Sequence, residues 1–323
     1  MVTTTSSLIA TTGMTPVAEI VDSRCLRRRL NGFDCSRCVD NCAANALTIS
    51  DGKVQRENER CTGCGRCTVV CPAEAMVLAD FELYPMLEEC DSFEDTVFTC
   101  PRQKQAFPNQ LPLPCVALLS IEALLFIALK GNGPVYFNLL ACPTCPQFQE
   151  VEKFPASLAR VQQTIGRDLC AELIALRDTS QLPRIPERDR RSFLFDLGGR
   201  VVSLVKNRYG TGEPRQSTEQ PQSRSRRLPQ KTALLEKVIL AQDSGVATTL
   251  LAQCTPTISL TESCTLCPRC TGMCPTGAIK LERQGDNGKK LTFAATRCTG
   301  CGLCAAFCKM KAITVNAPLI LRL

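Results

Sequence analysis

Apolar and polar residues alternate in two short segments that lie far apart in the chain. The first, Ala46–Asn58, reads ALTISDGKVQREN, and the second, Ala278–Arg297, reads AIKLERQGDNGKKLTFAATR. In both segments the alternation runs on either side of a glycine-containing turn, DG or GDNG, which is typical of antiparallel hairpins. The pattern predicts a small β-hairpin towards each end of the chain.

Between these segments the apolar residues form continuous runs instead. TVFT, LPLP and VYFNLLA each end at a cysteine, and a helical pattern from Val116 to Lys130 stops before Gly131. The order strand, strand, helix, strand predicts a central α/β domain with a parallel sheet. Because parallel strands end at one edge, we expect four cysteines to converge there: Cys100, Cys115, Cys142 and Cys145.

The run Leu111–Lys130 is the one segment that resembles a membrane span. It contains two prolines and Glu122, and the part after Cys115 is shorter than the roughly 20 residues that a spanning helix needs. We therefore predict a buried strand and helix.

The remaining segments are predicted to be helices or unstructured chain. Gln147–Asp178 has a core-facing helical stripe, and Arg190–Val205 resembles a second amphipathic helix. Residues 1–19 are predicted to be disordered, and Lys206–Gln230 has the composition of a flexible linker. Its SRSRR stretch, Ser223–Arg227, is interpreted as solvated chain rather than a nucleic-acid site. The stripe consists of Val161, Ile165, Leu169, Leu173 and Leu176.

The amino-acid composition limits which cofactors and reactions are possible. The 323 residues include 23 cysteines but no histidine and no tryptophan. The first residues lack the pattern of a secretory signal, so we expect a reducing, cytoplasmic compartment, where clustered cysteines indicate metal more often than disulfides. The lack of histidine excludes Rieske centres, histidine-ligated haem and catalysis by an imidazole base. No phosphate-binding glycine motif of dinucleotide or P-loop type occurs.

Three cysteine runs share the spacing C-x2-C-x2-C-x3-C. This run holds cubane iron–sulfur clusters in bacterial ferredoxins, and its third closely spaced cysteine has no use in a tetrahedral zinc site. Proline follows the first two runs, and Lys309 follows the third. The runs are Cys61, Cys64, Cys67 and Cys71; Cys264, Cys267, Cys270 and Cys274; and Cys298, Cys301, Cys304 and Cys308.

A fourth group is irregular. Cys35, Cys38 and Cys42 have the expected spacings, but Gly32 stands where a further cysteine belongs. Cys25, ten residues before Cys35, is the obvious substitute. The alternative is that Cys25 is a free thiol and that the cluster has three cysteine ligands.

Both ends of the chain resemble bacterial two-cluster [4Fe–4S] ferredoxin domains, at about residues 20–82 and 255–318. The resemblance implies an α+β ferredoxin-like fold in which the fourth cysteine of each run binds the cluster of the other. Metal binding would supply much of the folding free energy. The implied ligand sets are Cys25, Cys35, Cys38, Cys71; Cys61, Cys64, Cys67, Cys42; Cys264, Cys267, Cys270, Cys308; and Cys298, Cys301, Cys304, Cys274.

The central cysteine pattern, at about residues 95–170, resembles the delta subunit of methyl-viologen-reducing hydrogenase. The matching features are the cysteine closing the first strand, the PC before the helix, the glycine after it and the final CxxC. The resemblance implies a [2Fe–2S] cluster, although the spacing also permits [4Fe–4S]. A thioredoxin-type dithiol and a zinc site are the alternatives.

The sequence thus predicts an iron–sulfur electron-transfer protein or subunit. Its domains are a ferredoxin domain at 20–82, the central module at 83–180, a helical connector and linker at 181–254, and a ferredoxin domain at 255–323. The expected partners are redox proteins, such as a hydrogenase, a formate dehydrogenase or a related complex. The alternative is a central redox-active or sensing dithiol supplied with electrons by the ferredoxin domains.

The formal charge of +7 does not indicate a nucleic-acid partner. Each oxidised cluster with four thiolates adds a charge of about 2−, so five clusters would bring the net charge to about −3. No membrane span is expected, and peripheral membrane association is left open. The remaining cysteines, Cys90, Cys170 and Cys254, are expected to be buried or free thiols.

Overall fold

The computed structural model describes residues 16–90, 92–105, 107, 109–147, 151–178, 226–284 and 288–321. The predicted helix Arg190–Val205, the linker up to residue 225 and residues 1–15 lie outside the described residues.

The N-terminal domain consists of two antiparallel strand pairs and three short helices. The terminal strands β1 (Ala18–Ile20) and β4 (Met76–Leu78) pair with each other, and the predicted hairpin is formed by β2 (Leu47–Ser50) and β3 (Lys53–Arg56). The helices are α1 (Leu26–Arg29), α2 (Arg37–Asp40) and α3 (Arg66–Val70).

This domain begins at least two residues before the boundary at residue 20 that the sequence predicted. Ala18 and Glu19 belong to β1, although the sequence assigned them to a disordered N-terminus. A strand of three residues has too short a pattern to be recognised alone, because it is defined by its pairing with β4, more than fifty residues away.

The central domain is built on a parallel sheet, as predicted. Its strand order is β6-β5-β7-β8, with every pair parallel. Helix α5 begins after Ser120, whose side-chain oxygen accepts a hydrogen bond from the Ala123 amide, and Val116–Leu118 form a separate 3₁₀ turn. The elements are α4 (Leu83–Glu89), β5 (Val97–Thr99), β6 (Gln110–Pro112), α5 (Ile121–Lys130), β7 (Val135–Asn138), α6 (Phe154–Ile165) and β8 (Leu173–Leu176).

The single helix predicted over Gln147–Asp178 is wrong in its second half. Helix α6 ends at Ile165, and Gly166 follows with a φ of 97°, a conformation that disfavours other residues. Leu169 is 59% exposed, and Leu173 begins a fourth parallel strand. A short buried strand has a continuous apolar pattern, which a helical stripe can imitate.

Gly131 ends α5 for a reason that the sequence did not indicate. Its φ is −73°, so it is not a left-handed cap. A Cβ atom at this position would lie 2.6 Å from the Cβ of Ala171 and 3.1 Å from the Ile127 carbonyl oxygen. Glycine is required here by close packing.

Two connecting helices complete the main core. Helices α7 (Gln230–Leu240) and α8 (Ser244–Cys254) contribute Leu235, Val238 and Leu250 to a hydrophobic cluster shared with the central and N-terminal domains. Cys90 and Cys254 are buried in the same cluster, and Cys170 is partly buried against it. Within the described residues, no helix is long and apolar enough to cross a membrane.

The C-terminal domain repeats the plan of the N-terminal domain. Its outer strands pair antiparallel, and its predicted hairpin is present. Its small core is separate and includes Ile279, Cys304 and Ile313. The elements are β9 (Thr257–Leu260), α9 (Arg269–Met273), β10 (Ile279–Gln284), β11 (Gly288–Phe293), α10 (Leu303–Ala306) and β12 (Ile313–Asn316).

Candidate functional site

Eight cysteines of the N-terminal domain line two separate pockets. Each pocket combines three cysteines from one run with the fourth cysteine of the other, which is the exchange that the ferredoxin resemblance implied. We name them site A and site B. Site A contains Cys25, Cys35, Cys38 and Cys71, and site B contains Cys42, Cys61, Cys64 and Cys67.

Cys25 lies with the other cysteines of site A despite its irregular spacing. Residues 26–34, including α1, form the extra loop between Cys25 and Cys35. Burial raises the pKa of Cys38 to about 12, and the thiolate charges of Cys71, Cys35 and Cys25 add to that effect. The fold thus brings Cys25 to the pocket that the other three cysteines of site A line, and Cys25 stays a predicted ligand.

The C-terminal domain contains the same pair of pockets. Burial raises the pKa of Cys304 to about 12, with further contributions from Cys301, Cys298 and Cys274. We name the pockets site D and site E. Site D contains Cys264, Cys267, Cys270 and Cys308, and site E contains Cys274, Cys298, Cys301 and Cys304.

The four central cysteines converge at the carboxyl end of the parallel sheet. Cys100 follows β5 directly, and Cys115 lies three residues after the end of β6. Cys142 begins a 3₁₀ turn after β7, and Cys145 follows that turn. Burial raises the pKa of Cys142 to about 11, and the charges of Cys100 and Cys145 raise it further. Burial likewise raises the pKa of Cys115 to about 12, with Cys100 and Cys142 among the charges that contribute. We name this group site C.

Two polar side chains support site C. The Gln103 amide donates to the Asn138 carbonyl oxygen at 3.0 Å and to Cys142 Sγ at 3.7 Å, and it accepts from the Ala141 amide at 2.9 Å. Asn138, 1% exposed, has an Nδ2 group without a hydrogen-bond partner among the described residues. A buried unpaired donor costs about 1–3 kcal/mol, and a sulfur acceptor at this edge would remove that cost. Nothing in the sequence pattern indicated either residue.

Sites A, B, D and E share a turn that the sequence analysis missed. In three of them the amide four residues after the last cysteine donates to its Sγ, at 3.3 Å to Cys42, 3.2 Å to Cys71 and 3.4 Å to Cys308. At Cys274, burial works to raise the pKa, but hydrogen bonds from Thr276, Ile279 and Ala278 outweigh it and lower the pKa. The fourth residue after the cysteine is a buried alanine in each case: Ala46, Ala75, Ala278 and Ala312.

The residue before each of these alanines adopts a positive φ. The values are 48° at Asn45, 51° at Glu74, 71° at Gly277 and 49° at Lys311. This left-handed residue turns the chain so that the next amide lies against the sulfur. The recurring spacing C-x3-A was the signal in the sequence that would have revealed the turn.

The donor sets therefore fit iron–sulfur clusters. Each pocket has four thiols, and N–H groups reach a sulfur in sites A, B, D and E, which is the kind of hydrogen bond that surrounds the sulfur atoms of iron–sulfur centres. Within the described residues, no three Cys, Asp or Glu side chains converge on one point as a single metal ion requires. A cluster of several iron atoms is wider than one ion, and its ligands stand correspondingly further apart.

Sites A and E lie on either side of one interface between domains. Arg37 lines the pocket of site A, and its guanidinium donates to the Gly300 carbonyl oxygen of site E at 3.0 Å. The guanidinium charge of Arg37 also acts on Cys301, where it opposes the rise in pKa that burial causes. Arg29, in the extra loop of site A, donates to the Met273 carbonyl oxygen at 3.2 Å, next to Cys274.

Arg227 forms a third link between these sites. Its side chain pairs with Glu74, three residues after Cys71, and its amide donates to the Pro275 carbonyl oxygen at 2.9 Å. Arg227 belongs to the stretch interpreted as solvated linker; its side chain is exposed, at 43%, but these two contacts hold it in place.

Sites B and C meet at a second interface. The Cys64 thiolate of site B is among the charges that raise the pKa of Cys115 in site C, after the larger effect of burial. A Cβ atom on Gly65 would lie 2.7 Å from Leu118 Cδ1, so the loop of site B rests directly on the turn after Cys115. The Gln147 amide donates to the Thr62 carbonyl oxygen at 3.1 Å across the same interface.

A cavity of about 730 Å³ is lined by residues of the N-terminal domain, α4 and α7. Three of its charged groups, those of Glu74, Arg227 and Lys231, contact one another or the backbone. Glu74 pairs with Arg227 and accepts from the Gln230 amide, and Lys231 donates to the Val69 carbonyl oxygen at 2.6 Å. These contacts hold α7 against the N-terminal domain.

Comparison with known families supports the prediction of ferredoxin-type domains at the two ends of the chain. Residues 33–75 and 263–312 match the family described as 4Fe-4S dicluster domain. The chain therefore contains two ferredoxin-type dicluster domains, each of which binds two [4Fe–4S] clusters, and this supports a role in iron–sulfur electron transfer. Cys25 and the central cysteines lie outside the matched segments.

Neither the search of curated proteins nor the search of solved structures found a match. The resemblance of the central module to a hydrogenase delta subunit stays a prediction.

Proposed function

We propose that this chain is an electron-transfer protein that carries five iron–sulfur clusters in one continuous series. Sites A, B, D and E would each hold a [4Fe–4S] cluster through their four cysteines, with Cys25 completing site A. Site C would hold a further cluster, [2Fe–2S] in preference to [4Fe–4S], through Cys100, Cys115, Cys142 and Cys145. When bound, these clusters would supply one-electron redox capacity at five points.

The observation that carries this proposal is the contact of sites A and E at one interface and of sites B and C at the other. Sites A and B share the N-terminal domain, and sites D and E share the C-terminal domain. The proposed order is therefore D, E, A, B, C. The N-terminal domain stands in the middle of this series, and the central segment of the chain stands at one end.

This order changes how the central module is interpreted. In the sequence, the central module lies between the two ferredoxin domains. The proposed series instead gives site C a terminal position, where a redox enzyme such as a hydrogenase, a formate dehydrogenase or a related complex would exchange electrons. The effect of the Cys64 charge on the pKa of Cys115 and the close approach of Leu118 to Gly65 in the site B loop support this position.

Iron content tests the proposal. Anaerobically reconstituted protein is expected to contain about 18 iron atoms per chain if site C holds [2Fe–2S], and about 20 if it holds [4Fe–4S]. A content of about 16, with Cys142 and Cys145 reacting as an ordinary dithiol, would contradict a cluster at site C. That outcome would favour a redox-active or sensing dithiol supplied by the ferredoxin domains.

Cys115→Ser tests site C by spectroscopy. The variant is expected to lose one EPR signal of the reduced protein and to keep the ferredoxin-type signals. Cys90→Ser is the matched control, because Cys90 is also buried, at 3% exposure against 6% for Cys115, but lies outside the five sites. Identical spectra of the Cys115 variant and the wild type would exclude Cys115 as a ligand.

A further inference from the structure

Large apolar side chains lie exposed beside site D. Leu260 is 43% exposed and Met310 is 51% exposed, and both line the pocket formed by the cysteines of site D. Single exposed apolar residues are common on proteins. Two of them at the rim of one candidate redox site form an apolar centre through which a second protein would approach that site.

Basic side chains surround this apolar centre. Arg269 lines the same pocket, and Lys309 and Lys311 flank Met310, all three of them exposed. Lys309 also occupies the position that Pro72 and Pro275 fill after the other two regular cysteine runs. A cation thus replaces the usual proline on the face where site D approaches the surface.

Two further basic residues lie on the face of the β10–β11 hairpin that is beside site D. In its register Arg283 lies opposite Lys289, and Leu281 lies opposite Leu291, which lines site D. Because side chains two residues apart in a strand share a face, Arg283 and Lys289 lie on the site D face of the hairpin. Like charges placed directly opposite each other destabilise a sheet, so this pair has a cost that folding alone does not explain.

On the other face of the hairpin, a basic residue lies opposite an acidic one. Lys290 lies opposite Glu282, and the Glu282 carboxylate accepts a hydrogen bond from Thr292 at 3.0 Å. Opposite charges are paired on this face, as stability favours. Lys280, opposite Thr292, also lies on this face, whose net charge is therefore +1, whereas Arg283 and Lys289 give the face beside site D a net charge of +2.

The two ferredoxin domains also differ in charge. Residues 255–323 contain nine basic and three acidic residues, whereas residues 20–82 contain nine of each. Two bound clusters add a charge of about 4− to each domain, which leaves the C-terminal domain at about +2 and the N-terminal domain at about −4. Of the two ferredoxin domains, the C-terminal one, which carries site D, is therefore the one with a net positive charge.

We propose that an acidic, one-electron carrier protein docks on this face of the C-terminal domain and exchanges electrons at site D. The apolar centre is Leu260 and Met310, and the basic rim is Arg269, Arg283, Lys289, Lys309 and Lys311. The inference rests on the proposed function, in which site D is the end of the series opposite site C. Electrostatic steering by such a rim speeds encounter and orients the partner.

Binding to the oxidised, full-length holoprotein tests this inference. The probes are an acidic plant-type [2Fe–2S] ferredoxin and a basic c-type cytochrome of similar size, titrated by calorimetry at low ionic strength. We expect the acidic probe to bind and the basic probe not to bind. Replacing Arg283 and Lys289 together by Gln is expected to weaken binding of the acidic probe about fivefold and to reduce its salt dependence. Loss of the repulsive pair does not threaten the hairpin.

The matched control is the pair Lys280→Gln and Lys290→Gln, which removes the same charge from the opposite face of the same hairpin. Its effect is expected to stay below about twofold. Equal weakening by both pairs, preference for the basic probe, or binding of duplex DNA or anionic vesicles that is lost in the Arg283 and Lys289 variant would overturn the inference.

Iron content and EPR spectra of each preparation separate this test from the proposed function. Protein that lacks the clusters would contradict the proposed function itself. Protein with intact clusters but without a difference between the two variant pairs would contradict the docking face alone.

Discussion

The recurring turn after the last cysteine of each ferredoxin-type run is the main feature at the scale of single residues. A left-handed residue aims the amide of the next residue, a buried alanine, at the cysteine sulfur. Asn45, Glu74 and Lys311 accept this conformation although it costs a residue with a side chain about 1–2 kcal/mol. Only Gly277 adopts it without strain.

Gly277→Ala is expected to destabilise the holoprotein by about 1 kcal/mol. An alanine is strained at the φ of 71° that this position requires, and its Cβ atom would lie 3.0 Å from Arg226 Cδ. Gly272→Ala is the control in the same loop region. Gly272 lies in α9, and a Cβ atom added there would have no atom within 4 Å, so the variant is expected to be neutral or slightly stabilised. Thermal melting followed through cluster absorbance under anaerobic conditions measures both. A melting temperature of the Gly277 variant at or above that of the Gly272 variant would contradict this account of the turn.

At the scale of elements, the loop of site B and the 3₁₀ turn of the central domain fit together through one glycine. Gly65 and Gly302 occupy equivalent positions in the two ferredoxin domains, each before a short helix and each with a positive φ, 73° and 81°. They differ in their surroundings. The Cβ position of Gly65 is blocked by Leu118, whereas that of Gly302 has no atom within 4 Å.

Gly65→Ala is therefore expected to cost about 1–3 kcal/mol more than Gly302→Ala. Both variants suffer the same backbone strain, so the difference measures the contact with Leu118. The chemical denaturation midpoint, followed through the fluorescence of the tyrosines and the cluster absorbance, reports it. Adding Leu118→Ala to the Gly65 variant should recover part of the loss, and equal midpoints for the two glycine variants would show that the close contact does not matter.

At the scale of the whole molecule, the two ferredoxin domains are joined by arginines that lie beside sites A and E. Arg29, Arg37 and Arg227 each contact a backbone carbonyl next to a cysteine of site E. The extra loop between Cys25 and Cys35, which made the first cysteine group irregular in sequence, supplies one of these arginines. The irregularity thus has a role in docking the domains.

Arg37→Gln is expected to lower the reduction potential of the site E cluster by a few tens of millivolts, because a nearby positive charge stabilises the more negative reduced form. Arg28→Gln removes the same charge from an exposed position of the N-terminal domain and should leave this potential unchanged. Potentiometric EPR titration measures it, with the site E signal identified by its loss in Cys298→Ser. Equal shifts in the two variants would mean that Arg37 acts only through the net charge of the protein.

Local patterns in the sequence were enough to predict much of this protein. The cysteine spacings predicted both ferredoxin-type domains, because ligands within one run must be close along the chain to reach one cluster. Alternation predicted both hairpins, and the apolar runs ending in cysteines predicted the parallel sheet and the edge where site C lies. These features depend on residues that are close together in the chain, or on the alternation of side chains between the two faces of a strand, which has a period of two residues.

Only the tertiary structure decided the features that join distant residues. Strand β1 requires its partner β4, strand β8 resembles a continued helix until it pairs with β7, and Gly131 is required by Ala171. The contacts between sites A and E and between sites B and C are likewise absent from any local pattern, because residues 29 and 273, or 65 and 118, meet only when the domains pack. Sequence spacing determined what each cysteine group can bind, and packing between domains determined which groups are neighbours.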